Sequence, residues 1–81
     1  MNIPDEIYKI ARIVREDWKN IYFGAVPYLD AMASIEDIEA DYFDDRARNI
    51  VSYFLANAHT WRGDTAKAVK AKLKEIISQV Q

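Results

Sequence analysis

The chain holds 81 residues, 51% of them apolar and 30% charged, with a net charge of −2 and no cysteine. That composition predicts one small globular domain; it excludes a disulfide framework and argues against disorder. A single histidine and two glycines leave no four-ligand zinc site, no glycine-rich phosphate loop and no Ser–His elbow, so the chain is expected to need no cofactor and to be no enzyme.

Pro4 stands where a helix tolerates proline, with Asp5 and Glu6 behind it in a first turn. Ile3, Ile7, Ile10, Ala11, Val14, Trp18 and Ile21 then recur at three- and four-residue steps, one apolar stripe of a helix. Asp5 and Lys9 are spaced for an i,i+4 pair. Gly24 is the expected stop, which puts the first helix at about 4–22. Tyr8 and Ile13 fall off its stripe.

Pro27 opens a second, shorter helix at about 27–33 on Leu29, Met32 and Ile35, and Ile38 and Tyr42 continue the inward face, so that 27–40 is either one bent helix or two short ones. Ser34 to Asp37 resembles a capping box, which predicts a bend or a split there. Asp41 or Asp44 can cap a third helix at about 45–59, whose apolar face is Ala47, Ile50, Val51, Phe54, Leu55 and Ala58. Thr60 or Asp64 then caps a fourth helix within 61–80, with Thr65, Ala66, Val69, Leu73, Ile76, Ile77 and Val80 inward. No stretch alternates with period two, so no strand is expected. The reading is all-α: one domain over 1–81, four main helices packed around Trp18, Ile50, Phe54, Trp61, Val69 and Leu73. No apolar run approaches the ~18 residues of a membrane span, and the charged start is no signal peptide. A soluble, cytoplasmic protein is expected.

Charge is split along the chain. Residues 29–45 carry seven acids and no base, whereas 46–81 carry seven bases against Asp64 and Glu75. Asp37, Glu39, Asp41 and Asp45 alternate as calcium-loop ligands do, yet Tyr42 stands where that loop needs Gly and Arg48 where it needs Glu. The acidic stretch is therefore read as a solvated turn. A computed surface potential would separate that reading from a third one, an acidic mimic of DNA.

Two surfaces remain as functional candidates. Tyr8, Ile13, Tyr22, Phe23, Tyr28 and Tyr53 exceed what a core this small can hold. Tyr8, Tyr22, Tyr28 and Tyr53 are accordingly the residues expected at an interface with an unidentified protein partner, or with a second copy in a homodimer that extends the core. The alternative is nucleic acid held by Arg62, Lys67, Lys70 and Lys74, since a helix, a turn at Gly63 and a lysine-bearing helix have the layout of a helix-turn-helix. Arg62, Asp64 and Lys72, however, stand where that motif buries apolar side chains. His59 is read as a packing or capping residue at the edge of the third helix.

Tyr53 to Gly63, followed by Ala66 and the 70–74 run, resembles small uncharacterised all-α proteins encoded by phages and prophages, and 23–29 adds to the likeness. The resemblance covers about 23–75 and supplies no functional residue. It implies a mobile-element accessory protein whose occupation is binding a host or phage protein.

Overall fold

The structure is a computed structural model that describes residues 2–35 and 45–78. Among these, four α-helices are seen: α1 (Ile7–Asp17), α2 (Val26–Ala33), α3 (Asp45–Ala56) and α4 (Asp64–Ser78). A single 3-10 turn, Phe23–Ala25, leads into α2. Consecutive helices pack on one another and α1 also packs on α4, so the four close into a cycle around one core. The expectation of an all-α bundle holds, and no described helix is long and apolar enough to cross a membrane.

The stripes read from the sequence are the faces that turn inward. Ile10 and Val14 of α1, Leu29 and Met32 of α2, Val51 and Phe54 of α3, and Val69 and Leu73 of α4 are fully buried. Each such side chain contributes roughly 1.5–3 kcal/mol relative to exposure. Ile3, Ile13, Ile21, Leu55, Ile76 and Ile77 pack at the rim, half-buried. Ile50 joins them there rather than the centre: α3 buries Ala47, Val51, Phe54 and Ala58, and Ile50 lies one position off that stripe.

Trp18 and Trp61 are the hub between the helix pairs. Their rings stack at 5.7 Å with 11° between planes, and Trp18 meets Phe54 edge-on at 6.4 Å. Both indoles are buried, Trp61 to 2% exposure. Buried indole N–H and carbonyl groups need partners. Trp61 has both: its Nε1 donates to Asp17 Oδ2 at 2.8 Å, and its carbonyl accepts from Lys70 Nζ at 2.7 Å.

These contacts explain why the helices are shorter than their stripes. α1 stops at Asp17, not near 22, because Trp18 turns extended (φ −89°, ψ 95°) and its N–H closes back on the Val14 carbonyl. Tertiary stacking here overrides local periodicity. At the other end α1 begins at Ile7 behind Glu6, whose carbonyl accepts from the Lys9 and Ile10 N–H groups. Pro4 and Asp5 thus precede the helix. Asp5 pairs with Lys72 of α4, and Lys9 pairs with Glu6 at 3.6 Å, replacing the expected Asp5–Lys9 bridge.

Gly24 is correspondingly no helix stop. It sits in the 3-10 turn, where a Cβ would lie 2.5 Å from the Tyr22 ring and 3.0 Å from Asn57 Oδ1. The glycine is needed for that close approach. In α2, Pro27 follows Val26 in the first turn, and Ser34 ends the helix, its hydroxyl donating to the Ala31 carbonyl at 2.8 Å. Ser34 is thus the C-cap of α2, which breaks there as the Ser34–Asp37 pattern leads one to expect; the expected continuation over 36–40 and the caps at Asp41 and Asp44 lie outside the described residues.

α3 ends at Ala56, three residues early, where the Tyr53 carbonyl accepts from both the Asn57 backbone N–H at 3.2 Å and its side-chain Nδ2 at 2.8 Å. A side-chain amide competing for a backbone acceptor favours termination. Neither Thr60 nor Asp64 caps α4. The carbonyl of Gly63 receives the Lys67 N–H at 3.0 Å, and Asp64 lies in the first turn. Gly63 has φ 115° with open space around it, so its backbone angle, not crowding, selects glycine.

Candidate functional site

The segment that enters α2 and the one that leaves α3 together build an aromatic surface. Tyr22 contacts Phe23 at 4.9 Å on one side and the His59 ring at 5.9 Å on the other. The Tyr22 ring lies over Gly24, which also faces Asn57, and Asn57 holds the Tyr53 carbonyl. Tyr53 in turn meets Tyr28 of α2 at 5.4 Å. Phe23 is 80% exposed, Tyr53 55% and Tyr22 37%, while Tyr28 is half-buried at the base.

Three of the four expected interface tyrosines, Tyr22, Tyr28 and Tyr53, therefore share this band. Tyr8 does not: it is half-buried on α1, where its ring contact is with the Lys9 ammonium at 5.9 Å. Phe23, grouped with the surplus aromatics but not with the interface residues, is the most exposed member. The available signal was Gly24 beside it and Pro27 behind, a break in which no helix face buries a side chain. His59 is exposed beyond the end of α3, against Tyr22, rather than packed or capping.

The cationic set divides differently. Lys67, Arg62 and Lys74 are exposed, but Lys70 is half-buried with its ammonium on the Trp61 carbonyl. Burial, then Lys74 and then Arg62, lower the Lys70 pKa below its ordinary 10.5. Lys70 is thus first a structural donor at the hinge. Lys72, by contrast, has its pKa raised, chiefly by the hydrogen bond to Asp5.

Beside the Trp hub an open groove runs between 17–20 and 60–62, lined among others by Lys19, Asn20, Thr60 and Arg62. Of the acidic stretch, Asp30 pairs with Arg15 of α1. The remaining acids from Glu36 to Asp44, with most of the calcium-like pattern and of the DNA-mimic reading, fall outside the described residues. Among those described, no three His, Cys, Asp or Glu side chains converge as a metal site requires. Among the described residues, the arrangement offers exposed aromatic contact area at Phe23 and Tyr53. Compared with known proteins, the chain matches no family model, no curated protein and no solved structure.

Proposed function

We propose that this protein is a small non-catalytic protein–protein interaction module, a cytoplasmic accessory protein of the phage or prophage kind that 53–74 resembles, able to pair as a homodimer. The observation that carries the reading is the pair of outward aromatic groups, Tyr22–Phe23 and Tyr28–Tyr53, with Phe23 and Tyr53 more than half exposed. Aromatic side chains left in water are unfavourable for an isolated domain. Tyrosine in particular is enriched where binding energy concentrates, and clustered apolar exposure marks contact surfaces.

Quantitative affinity capture from the cells that encode the protein tests this, with the wild type set beside a Phe23→Ala, Tyr53→Ala double variant. The reading expects a partner, or a second copy, that the wild type retains and the variant loses. Identical capture by both, together with a strictly monomeric wild type in light scattering, would sink it.

A second reading has a specific observation behind it. Arg62, Lys70 and Lys74 lie close enough for the other two to lower the Lys70 pKa, and with Lys67 they could bind phosphates. The net charge of −2 and the engagement of Lys70 at Trp61 weigh against it. Nucleic-acid binding of this kind weakens steeply with salt. Absence of a mobility shift with DNA or RNA at low ionic strength removes the reading.

A further inference from the structure

The segment ahead of α1 is held differently from the rest of the fold. Residues 2–5 belong to no helix, and none of their backbone groups bonds to another backbone group among the described residues. Two side chains tie the segment down. Ile3 is half-buried against the core, and Asp5 pairs with Lys72 of α4. Pro4 fixes φ between them and Glu6 behind is extended (φ −81°, ψ 125°), so this strap departs from α1 rather than continuing its spiral. It lies across the seam between α1 and α4. On one side Asn2 borders a hollow with Ile13 of α1 and Thr65 of α4; on the other, Asn2 and Ile3 share a hollow with Ala68, Ala71, Lys72 and Glu75. The seat thus has a defined chemistry: small α4 side chains beside Ile3, and an ammonium placed for a carboxylate two residues further on. Lys72 is the more covered partner, 23% exposed against 84% for Asp5. The hydrogen bond to Asp5 is the chief reason that its pKa is raised.

We infer that this strap is exchanged between two copies of the chain: residues 2–5 of one leave their own seat and lie in the α1–α4 seat of the other, which returns the same segment. The inference deepens the homodimer of the reading above and rests on that part of it. Detachment is local, since two side chains and no backbone bond hold the strap, and an ion pair this exposed adds little. The vacated seat would keep a partly covered ammonium without its acceptor, which is costly until a carboxylate returns. A second copy carries the matching apolar residue and carboxylate by construction, and exchange preserves every contact of the closed chain. From Glu6 to Asn2 the strap reaches at most roughly 14 Å. The two α1–α4 seams must therefore face one another across a two-fold axis. That approach also covers Ile13 and the hollows beside Asn2, which one chain alone leaves open.

Charge reversal in the full chain tests this. Asp5→Lys alone and Lys72→Glu alone each set like charges together at the seat, in a closed chain and in an exchanged pair alike. Mixed, the two variants satisfy both seats only in trans. Native mass spectrometry with one variant isotope-labelled, and light scattering of each sample, follow the pairing. Each variant alone should be monomeric where the wild type begins to pair. The mixture should form a one-to-one heterodimer at least about tenfold tighter than the wild-type homodimer, whose ion pairs are already made within each chain. The amides of Ala68 and Ala71 in the labelled Lys72→Glu chain should shift when the Asp5→Lys chain is added, and salt should weaken the heterodimer. Both reversals on one chain should restore wild-type behaviour. An unchanged helical spectrum verifies each fold.

Should a reversal fail to fold, the absence of native cysteine allows a second readout. Asp5→Cys and Lys72→Cys chains, mixed under mild oxidation, should give the mixed disulfide ahead of either symmetric one. A mixture that stays monomeric, or a mixed disulfide that forms no faster than the symmetric ones, would overturn the exchange and leave the strap closed on its own chain. Variants that pair alone as well as the wild type, and mix statistically, would overturn it too, by placing the homodimer contact elsewhere. Neither outcome bears on the Phe23→Ala, Tyr53→Ala variant, whose capture experiment decides the interaction reading separately.

Discussion

Two aromatic groups lie within a few residues of each other in sequence and have opposite fates. Trp18, Phe54 and Trp61 stack and cross inside the bundle, and the Trp61 N–H and carbonyl are both paired. Tyr22, Phe23 and Tyr53 touch one another's neighbourhoods through tilted, partly wet contacts on the outside. The difference is one of closure. A ring contributes to folding when helices surround it and its polar atoms are satisfied, whereas one on a single open side has most of its area still available. Aromatic content alone, 12% of the chain, does not distinguish the two.

The largest expected effect is at the closed group. Trp61→Ala or Trp18→Ala should cost roughly 3–5 kcal/mol in equilibrium unfolding, because each opens a cavity in the centre. A domain of this size has little stability to lose beyond that. A melting curve close to wild type would place the tryptophans outside the core and dissolve the contrast.

The turn that delivers Trp61 is next. Gly63→Ala forces an L side chain to φ 115° and should destabilise by roughly 1–2 kcal/mol. Since a Cβ there meets no neighbour, the loss would be conformational. An undiminished stability in urea would show that the backbone relaxes freely.

Two lysines of α4 sharpen the picture through pH. Lys70 has a folded pKa below its ordinary 10.5, so between those values the unfolded chain binds more protons and stability rises with pH. Its unfavourable charging is fully present below the folded pKa. Lys72 has a folded pKa above 10.5; the stability it contributes is complete below 10.5 and is lost as pH climbs through the raised value. Lys70→Met should therefore remove a rise on the alkaline limb, and Lys72→Met a fall. Chemical denaturation from pH 8 to beyond these values, monitored for each variant, checks the signs; identical limbs would contradict both assignments.

How much of this was legible in the sequence follows the same division. Apolar spacing located the four stripes and nearly every core residue, since burial on a helix is a local pattern. The end of α2 near 33 and the start of α3 at 45 were legible as well, but the ends of α1 and the C-terminal end of α3 were not, because single side chains there have partners far away or unusual. Trp18 leaves α1 to meet a ring more than forty positions on, Asn57 turns its amide on Tyr53, and Asp5 leaves its own helix for Lys72. At the surface, Tyr22, Tyr28 and Tyr53 announced themselves by failing to fit a stripe. Tyr8 failed in the same way yet lies elsewhere, and Lys70, regular in sequence with Lys67 and Lys74, is diverted to the Trp61 carbonyl. Periodicity tells which residues are off the core, and only the packing tells which of them meet.

The smallest expected effect carries the most weight. Equilibrium urea unfolding of the Phe23→Ala, Tyr53→Ala double variant asks whether the exposed band belongs to the fold or is available for binding. The account predicts a stability within about 1 kcal/mol of wild type, the sum of two ordinary surface changes. A loss of about 3 kcal/mol or more, of the size expected for a core aromatic, would make the band part of the structural core and contradict its assignment as a contact surface.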